Sequence, residues 1–580
     1  MKPIDKVAIS SAIKLCHEGK GVAETLRTLQ RIYKIQLSKE SLHHKYVELR
    51  DAGKISSDAL FEASYKKIPV RSWSGVLVIT VVLRPDRFSC TFDCAYCPDE
   101  TVKNGAKVDM PRSYLSSEPA VMRAMAVEFD IVDQFHSRLN TLRNNGHTID
   151  KLEVIILGGT YSIYPRSYQI ESMRDIFYAA NVFSVPKSSR RGKLSLHDEQ
   201  AINDKFSKMK VIGVSVETRP DMITNKELVR FRHLGITRVQ IGVQHTDDDV
   251  LKLINRKHDS TASVKAIKLL KDHGFKVDIH IMPDLPGSNV ELDRNMLEKV
   301  FLSREYQADY VKIYPCLDIT HTKIRKWKAE GIWRSYAEED MVKLIDLLIY
   351  TKQHLIPDHV RINRIQRDFP EESSSNDFLG FKSKSHKTNL RQLLDQKMLK
   401  MGIACKCIRC REIKNDNFSM DGLKMRVKLY TASEGLEYFI CFEDRSNDKL
   451  LAFLRLRLPS SRELPSILLP RNTALIRELH VFGFINAVGQ KSNSRQLVQH
   501  LGMGKMLIRK AEMISYASGF KKLSVISGVG VRSYYRKLGY GLSKTYMIKS
   551  LNVLVYVNAM IHMFLIWAKL RVSSLVQKII

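Results

Sequence analysis

Residues 76–97 read VLVITVVLRPDRFSCTFDCAYC, an apolar β-branched strand followed by a loop that carries Cys90, Cys94 and Cys97. Further along the chain, short apolar segments alternate with helix-length amphipathic sequence. This alternation predicts an α/β fold, a whole or partial βα barrel, with its chemistry at the carboxyl ends of the strands. The later predicted strands are Val154–Leu157, Val211–Val216, Arg238–Val243, Lys276–Ile281 and Tyr310–Tyr314.

The spacing of the cysteine loop, Cys90-x3-Cys94-x2-Cys97, indicates an iron–sulfur cluster. Three thiolates bind a 4Fe-4S cluster and leave one iron free for another ligand. S-adenosylmethionine can chelate that iron, and its reductive cleavage releases a 5′-deoxyadenosyl radical. The spacing, with Tyr96 before the last cysteine, resembles the radical S-adenosylmethionine superfamily. A zinc site is the alternative, but it needs a fourth ligand, and none is obvious nearby.

Glycine and polar residues follow three of the predicted strands directly. Glycines let the backbone approach the methionyl amino group of S-adenosylmethionine closely. The polar residues are expected either to bind that cofactor at the barrel mouth or to form caps and salt bridges. The candidates are Gly158, Gly159, Thr160, Glu217, Arg219 and Gln244.

A second cofactor signature is the sequence Gln499-His500-Leu-Gly502-Met-Gly504. Consecutive N–H groups in a glycine-rich turn that opens a helix bind anions, here the pyrophosphate of acetyl-coenzyme A. The flanking pattern resembles the GCN5-related N-acetyltransferase (GNAT) fold, in which a tyrosine often protonates the departing thiolate. The other candidates are Glu478 and Leu479 for the cofactor, and Tyr534 and Tyr535 as this acid or as packed side chains.

The chain has 580 residues and a formal charge of +31, from 93 Lys and Arg against 62 Asp and Glu. Its length predicts about three or four domains. The charge favours a polyanionic partner, nucleic acid first and an anionic membrane second. Six of the nine cysteines fall into two tight triplets, which is unlike a disulfide framework and indicates a reducing compartment.

The second triplet, Cys405-x-Cys407-x2-Cys410, has basic neighbours that favour thiolates. We interpret it as a structural zinc site, with free thiols as the alternative. The fourth ligand is open among His386, Cys441, His480 and water.

Five segments are predicted along the chain. Leu551–Ala568 carries no charge, and as a helix it is about as long as a bilayer is thick, so the tail is either a membrane anchor or a packed helix. The segments are a basic helical N-terminal module (1–72), the βα barrel (73–385), a linker with the second cysteine triplet (386–419), the GNAT domain (420–550) and the apolar tail (551–580).

Ordered motifs in both predicted domains resemble the Elongator catalytic subunit family, Elp3. They include Glu217-Thr-Arg-Pro-Asp221, His280-Ile-Met-Pro-Asp-Leu-Pro286 and Ile526-Ser-Gly-Val-Gly530. The family implies a tRNA carboxymethyluridine synthase. In the implied mechanism the deoxyadenosyl radical takes a hydrogen from the acetyl methyl of acetyl-coenzyme A. The carbon radical then adds to C5 of the wobble uridine, and thioester hydrolysis leaves carboxymethyl.

The resemblance also implies partners and a location. The partners are the tRNA anticodon arm and either other Elongator-type subunits or a second copy of the chain. The tail resembles that of tail-anchored family members, which implies the cytoplasmic side of an intracellular membrane such as the mitochondrial outer membrane.

Two features depart from the family pattern: the gap between the first two cysteines is shorter, and Pro98-Asp99-Glu100 replaces Pro-Gly-Gly. Two other functions stay open at this point. One is a protein lysine acetyltransferase acting on histones or tubulin, and the other is a non-catalytic tRNA-binding assembly subunit.

Overall fold

The computed structural model describes residues 6–33, 38–65, 75–88, 90–104, 109–367, 390–414, 418, 421–463, 466–482 and 502–579. These residues form a helical module, a parallel sheet with its helices, a mixed-sheet domain and a long C-terminal helix. Gln499 and His500 of the predicted acetyl-coenzyme A loop lie outside the described residues.

The N-terminal module consists of four helices around their own apolar core. Ile9, Leu29, Leu42 and Phe61 are fully buried within it. Ser38 caps the third helix, because its side chain accepts a hydrogen bond from the Ser41 backbone N–H. The helices are α1 (Lys6–His17), α2 (Val22–Tyr33), α3 (Lys39–Asp51) and α4 (Ala59–Tyr65).

The second unit is a half-barrel of seven parallel strands that follow one another in chain order. Six of them were predicted, and the seventh was missed because Arg361-Ile-Asn-Arg364 contains only one apolar residue. The strands are β1 (Leu77–Val82), β2 (Lys151–Leu157), β3 (Lys210–Thr218), β4 (Arg238–Gln244), β5 (Lys276–Ile281), β6 (Tyr310–Ile313) and β7 (Arg361–Arg364). The helices are α5 (Pro119–Met125), α6 (Ile131–Asn144), α7 (Arg166–Val182), α8 (Leu196–Lys205), α9 (Asn225–Leu234), α10 (Asp248–Leu253), α11 (Ser260–Asp272), α12 (Val290–Leu302), α13 (Lys323–Ala329), α14 (Tyr336–Glu339) and α15 (Met341–Tyr350).

Two short helices, α16 (Leu390–Lys400) and α17 (Ile408–Arg411), lead to a second sheet. Its strands pair in the order β13-β14-β12-β11-β10-β9-β8, and only β11 and β12 run parallel. The elements are β8 (Leu423–Ala432), β9 (Gly435–Asp444), β10 (Lys449–Leu458), β11 (Thr473–Val481), α18 (Met503–Ala517), β12 (Lys522–Val525), α19 (Arg532–Arg536), β13 (Gly541–Ser543), β14 (Tyr546–Ser550) and α20 (Val553–Ile579).

The mixed-sheet domain makes backbone contact with the half-barrel at the loop after β12. A Cβ atom on Gly528 would lie 2.0 Å from the carbonyl oxygen of Ile212. A Cβ atom on Gly530 would lie 2.8 Å from the backbone nitrogen of Val211. Glycine is therefore required at both positions, because no side chain fits between this loop and β3.

A buried network of ion pairs joins the same two domains. The Arg477 guanidinium on β11 donates to both carboxylate oxygens of Asp309, at 2.7 and 2.6 Å, directly before β6. Arg477 also pairs with Glu437 on β9 at 2.9 Å, and Lys271 on α11 lies 3.5 Å from Glu437. All four side chains have 0% exposure, so each charge depends on its partners in the other domain.

The pKa of Asp309 shows how strongly the network is coupled. Burial raises the pKa of this carboxyl, but Arg477, Lys271 and Arg455 outweigh burial and hold the pKa well below its usual range. Burial, followed by repulsion from Arg477, lowers the pKa of Lys271 to about 8. The carboxylate thus stays ionised because the mixed-sheet domain supplies guanidinium groups.

The C-terminal helix α20 packs against α18. The ring of Tyr556 lies 5.6 Å from that of Tyr516, and Ala559 is fully buried. In the part of the chain that the structure describes, no helix combines the length and apolarity needed to cross a membrane. The membrane-anchor prediction is not supported, and α20 contacts α18 along one face while Leu554, Phe564 and Leu565 are more than half exposed.

We expect Arg477→Met to destabilise the protein by about 3–5 kcal/mol, because it leaves Asp309 and Glu437 buried without their main partner. The free energy of unfolding would be measured by chemical denaturation. Arg471→Met is the matched control, since the exposed Arg471 pairs with the exposed Glu463 and its loss should change stability by less than about 0.5 kcal/mol. Equal losses for the two variants would contradict this account of the network.

Candidate active site

The cysteine loop lies beyond the carboxyl end of β1, beside two buried arginines. The Cys94 Sγ atom is 3.6 Å from Nη1 of Arg219 and 3.6 Å from Nη1 of Arg256. Both guanidinium groups therefore donate hydrogen bonds to the sulfur of a predicted cluster ligand. Arg219 was predicted at the barrel mouth, whereas Arg256, after α10, carries no motif that marks it in the sequence.

The other two thiols of the loop are half-buried. Burial raises the pKa of Cys90, and burial followed by the neighbouring Cys94 raises the pKa of Cys97 to about 11. Cys97 Sγ also shares a hydrogen bond of 2.9 Å with Ser113 Oγ. Binding of iron would therefore displace protons from these sulfurs.

The spread of the three sulfurs distinguishes a cluster from a single ion. A lone zinc, about 2.3 Å from each sulfur, would hold all its ligands within about 4 Å of one another. The sulfurs of Cys90, Cys94 and Cys97 do not all lie within 4.8 Å of one another. The donor set therefore fits a multi-iron cluster better than a zinc ion.

Gly158 and Gly159 form a tight turn where β2 ends. Both have positive φ, 142° and 79°. A Cβ atom on Gly159 would lie 2.8 Å from the carbonyl oxygen of Arg112, and one on Gly158 would lie 2.5 Å from the hydroxyl of Tyr164. The pair thus lets the segment that follows the cysteine loop close onto the strand end.

The remaining barrel-mouth candidates differ in their positions. Glu217 and Gln244 line the large cavity of the half-barrel, and Glu217 accepts a 2.6 Å hydrogen bond from the Tyr114 hydroxyl. Arg219 is instead held against the cysteine loop by its 2.9 Å ion pair with Asp221. Thr160 leads into a single turn that begins at Tyr161.

The interior of the half-barrel is polar, which the sequence analysis did not predict. Register pairs Gln240 with Asp278 and His280 with Lys312, and all four residues line the cavity. Closed barrels of this class are usually filled by branched apolar side chains, so a polar interior indicates binding. The overlooked signal is the alternation of polar and apolar residues, as in Lys276-Val-Asp-Ile-His280.

In the mixed-sheet domain, Gly502 has a φ of 77° and begins α18. A Cβ atom on Gly504 would lie 3.0 Å from the Tyr534 hydroxyl, so this tyrosine reaches the start of the helix. Burial raises the pKa of Tyr534 to about 12, which keeps its phenol protonated. Tyr535 is more deeply buried and meets the ring of Tyr534 edge-on at 5.3 Å.

The two β11 candidates differ in their surroundings. The Glu478 carboxylate accepts a 2.9 Å bond from Arg455 and a bond from the hydroxyl of Tyr310 in the half-barrel. Burial raises its pKa, but Arg455 and Lys276 outweigh burial, so the pKa is lowered. Glu478 thus contacts the half-barrel, and both Glu478 and Leu479 line the cavity, with Leu479 beside Gly504.

A single cavity of about 1160 Å³ connects the two domains. Tyr96, Glu217 and Gln244 line it on the half-barrel side, and Gly504 and Tyr534 line it on the other. Pockets for one small ligand usually measure roughly 300–1,000 Å³. This cavity therefore has room for parts of more than one ligand.

The second cysteine triplet forms a compact group. The sulfurs of Cys405, Cys407 and Cys410 lie within 4.8 Å of one another, as ligands of one metal ion would. No fourth His, Cys, Asp or Glu of the described residues joins them, so Cys441 and His480 are not the missing ligand. His386, another predicted candidate, lies outside the described residues.

The family model of the radical SAM superfamily matches residues 88–300, and that of the radical SAM C-terminal domain matches residues 308–400. The "tRNA uridine(34) acetyltransferase" of Methanocaldococcus infernus is 38% identical over 494 residues, which cover 84% of this chain and 88% of the relative. "Elongator complex protein 3" of Schizosaccharomyces pombe is 36% identical over 493 residues, covering 83% and 86%. A solved structure, Methanocaldococcus infernus Elp3 with an N-terminal deletion, is 35% identical with a TM-score of 0.68, covering 82% of this chain and 100% of that one.

We expect Gly159→Ala to lower both stability and cluster content, because the new Cβ would press on the Arg112 carbonyl at a left-handed backbone position. Such strain costs about 1–3 kcal/mol. Thermal unfolding and iron content after anaerobic reconstitution would be measured. Gly192→Ala is the control, since nothing lies within 4 Å of the position that its new methyl group would occupy. Full iron content in Gly159→Ala would show that the turn does not support the cysteine loop.

Proposed function

Because the chain belongs to the Elp3 family of tRNA uridine(34) acetyltransferases, we propose that it modifies the wobble uridine of tRNA by adding an acetyl-derived carboxymethyl group at C5. The observation that carries this proposal is the shared cavity, on which the half-barrel and the mixed-sheet domain both open. A protein lysine acetyltransferase would have no use for a passage to the cysteine loop. A non-catalytic assembly subunit would have no use for the cationic groups that hold Cys94 ready to bind iron.

The first set of roles concerns the half-barrel. Cys90, Cys94 and Cys97 would hold a 4Fe-4S cluster, with Arg219 and Arg256 donating hydrogen bonds to the Cys94 sulfur. The remaining mouth residues, Gly158, Gly159, Thr160, Glu217 and Gln244, would bind S-adenosylmethionine. When bound, the cluster and S-adenosylmethionine supply the radical that activates the acetyl methyl group.

The second set of roles concerns acetyl-coenzyme A. The free N–H groups at the start of α18, beside Gly502 and Gly504, would bind its pyrophosphate. Tyr534, whose hydroxyl lies beside Gly504, would donate its proton to the departing thiolate. Tyr535 packs behind it and is the less accessible of the two candidates.

The nucleic-acid partner follows from charge. The chain carries a formal charge of +31, and Arg123, Arg138 and Lys505 line the cavity. Basic groups around a cleft attract the phosphate backbone of an anticodon arm. Other Elongator-type subunits, or a second copy of the chain, are further partners that the family relationship supports.

For the second cysteine triplet we propose a structural zinc ion. Hydrogen bonds from Cys405 and Cys410 lower the pKa of Cys407 well below its usual value, which favours a thiolate within this group. The backbone N–H of Ile408 donates to the carbonyl of Val360 at 3.0 Å, next to β7. A metal here would brace the connection between the two domains.

We expect the purified protein to contain zinc, and Cys407→Ala to lose it without losing the iron bound by the first triplet. Cys441→Ala is the matched control, because Cys441 is equally buried but lies outside the compact group. Metal content would be measured by inductively coupled plasma mass spectrometry. If Cys407→Ala retained its zinc, the triplet would be a set of free thiols.

The proposed reaction would be tested with anaerobically reconstituted protein, S-adenosylmethionine, reductant, acetyl-coenzyme A and tRNA, followed by mass spectrometry of the nucleosides. We expect carboxymethyluridine from the wild type and none from Cys94→Ala, which lacks a cluster ligand. Tyr534→Phe should slow product formation by about 100-fold or more, because it lacks the general acid. Acetylation of lysine peptides without any change in uridine would favour the protein acetyltransferase instead.

A further inference from the structure

Three side chains face the cavity together: His280 on β5, Lys312 on β6 and Tyr314 directly after β6. His280 is paired in register with Lys312. Tyr314 comes two residues after Lys312, so its side chain lies on the same face of the sheet. The rings of His280 and Tyr314 lie 5.7 Å apart at 64°, and the Lys312 ammonium lies 6.0 Å from the Tyr314 ring centre. None of the three has a role in the cofactor sites proposed above.

Gln240 determines how these groups hydrogen-bond. Its Nε2 atom donates to Ser215 Oγ at 2.8 Å, so its Oε1 atom points toward Lys312 and His280. The His280 Nε2 atom lies 3.2 Å from that oxygen. Because an amide oxygen only accepts hydrogen bonds, Nε2 carries the proton and Nδ1 of His280 is left as an acceptor.

The charge state of His280 preserves this acceptor. Burial, followed by the positive charges of Lys312, Arg367 and Arg364, holds the pKa of His280 well below its usual value. The imidazole is therefore neutral at physiological pH. Within the described ranges, Nδ1 has no hydrogen-bond partner.

Lys312 supplies a donor beside this acceptor. One of its three N–H groups donates to Gln240, and its nitrogen lies 3.6 Å from Glu217. A third N–H remains for a ligand. The cavity wall thus presents a fixed donor, a fixed acceptor and an aromatic ring in one small area.

We propose that Lys312, His280 and Tyr314 form the subsite for the uracil ring of the wobble nucleotide. The proposal rests on the proposed function and names the residues that select its base. Uracil presents the O4 acceptor next to the N3–H donor, which matches Lys312 Nζ and His280 Nδ1 respectively. The Tyr314 ring offers the stacking surface that an unpaired base needs.

The same pair of groups discriminates against cytosine. Cytosine has an amino donor in place of O4 and an unprotonated N3. Its amino group would face the Lys312 donor, and its N3 acceptor would face the His280 Nδ1 acceptor, so neither hydrogen bond could form. Reading a base edge with two hydrogen bonds gives at least about fivefold discrimination. The subsite would therefore make the enzyme specific for uridine before any chemistry occurs.

The test is a binding measurement on the anaerobically reconstituted full chain. The probes are three anticodon stem–loops that differ only at the wobble base, which is uridine, cytidine or 3-methyluridine. We expect the wild type to bind the uridine form at least about fivefold more tightly than either of the others. Since 3-methyluridine carries a methyl group in place of the N3–H donor and keeps O4, this arm tests the contact of N3 with His280 without any mutation of the protein.

Two variants test the named residues. His280→Phe keeps an aromatic ring against Tyr314 but removes the acceptor, and Lys312→Met removes the donor; each should bring the ratio of uridine to cytidine affinity close to one. His197→Phe is the matched control, because the His197 side chain is 91% exposed on α8. It should keep the wild-type ratio.

A wild type that binds all three stem–loops equally would overturn the subsite, and so would a His280→Phe variant that retains the wild-type ratio. The proposed function has a separate readout, the formation of carboxymethyluridine by the wild type. Product without base preference would refute the subsite alone. Base preference lost in His280→Phe, with no product from the wild type, would support the subsite and refute the proposed reaction.

Discussion

The contact between Arg477 and Asp309 is the constraint on which the arrangement of the two large domains depends. A bidentate guanidinium–carboxylate pair fixes both distance and orientation. Here both groups have 0% exposure, so neither can exchange its partner for water. The pair therefore sets the position of the mixed sheet on the half-barrel more rigidly than apolar packing alone would.

The same contacts show at which end of the half-barrel the mixed-sheet domain lies. Asp309 precedes β6, and Ile212, which touches Gly528, lies near the start of β3, so the mixed-sheet domain lies at the amino ends of the parallel strands. The cysteine loop lies at the opposite, carboxyl ends. A six-residue strand such as β5 is about 20 Å long. The polar interior of the half-barrel is thus the connection between two cofactor regions at opposite ends of one sheet.

Much of the fold could be predicted from the sequence, because six of the seven barrel strands are short apolar runs separated by helical sequence. The position of the cysteine loop after β1 and of Gly502 before α18 could also be predicted, while the cofactor roles of both stay predictions. The role of Glu478 was not, because its partners Tyr310 and Arg455 come from distant parts of the chain. The polar interior was missed because a strand with alternating residues still has enough apolar side chains to look wholly buried.

Arg256 illustrates a further limit of sequence reasoning. It contacts Cys94 across a separation of 162 residues, and only the closure of the sheet brings them together. For the apolar tail, the sequence left a membrane anchor and a packed helix open as alternatives. Its composition is close to that of a membrane span, but packing against α18 gives the helix a protein surface to cover.

The buried network also bears on how such a chain can evolve. If the two domains were encoded as separate proteins, each would expose several charged groups, among them Asp309 on the half-barrel and Arg477 on the mixed-sheet domain. In the present chain these groups are buried and neutralised by partners in the other domain. Reassembly of two separate chains in the same register would require these charges to be dehydrated again. Gene fission is thereby disfavoured, and a lineage would tend to inherit or lose the half-barrel and the mixed-sheet domain as one unit.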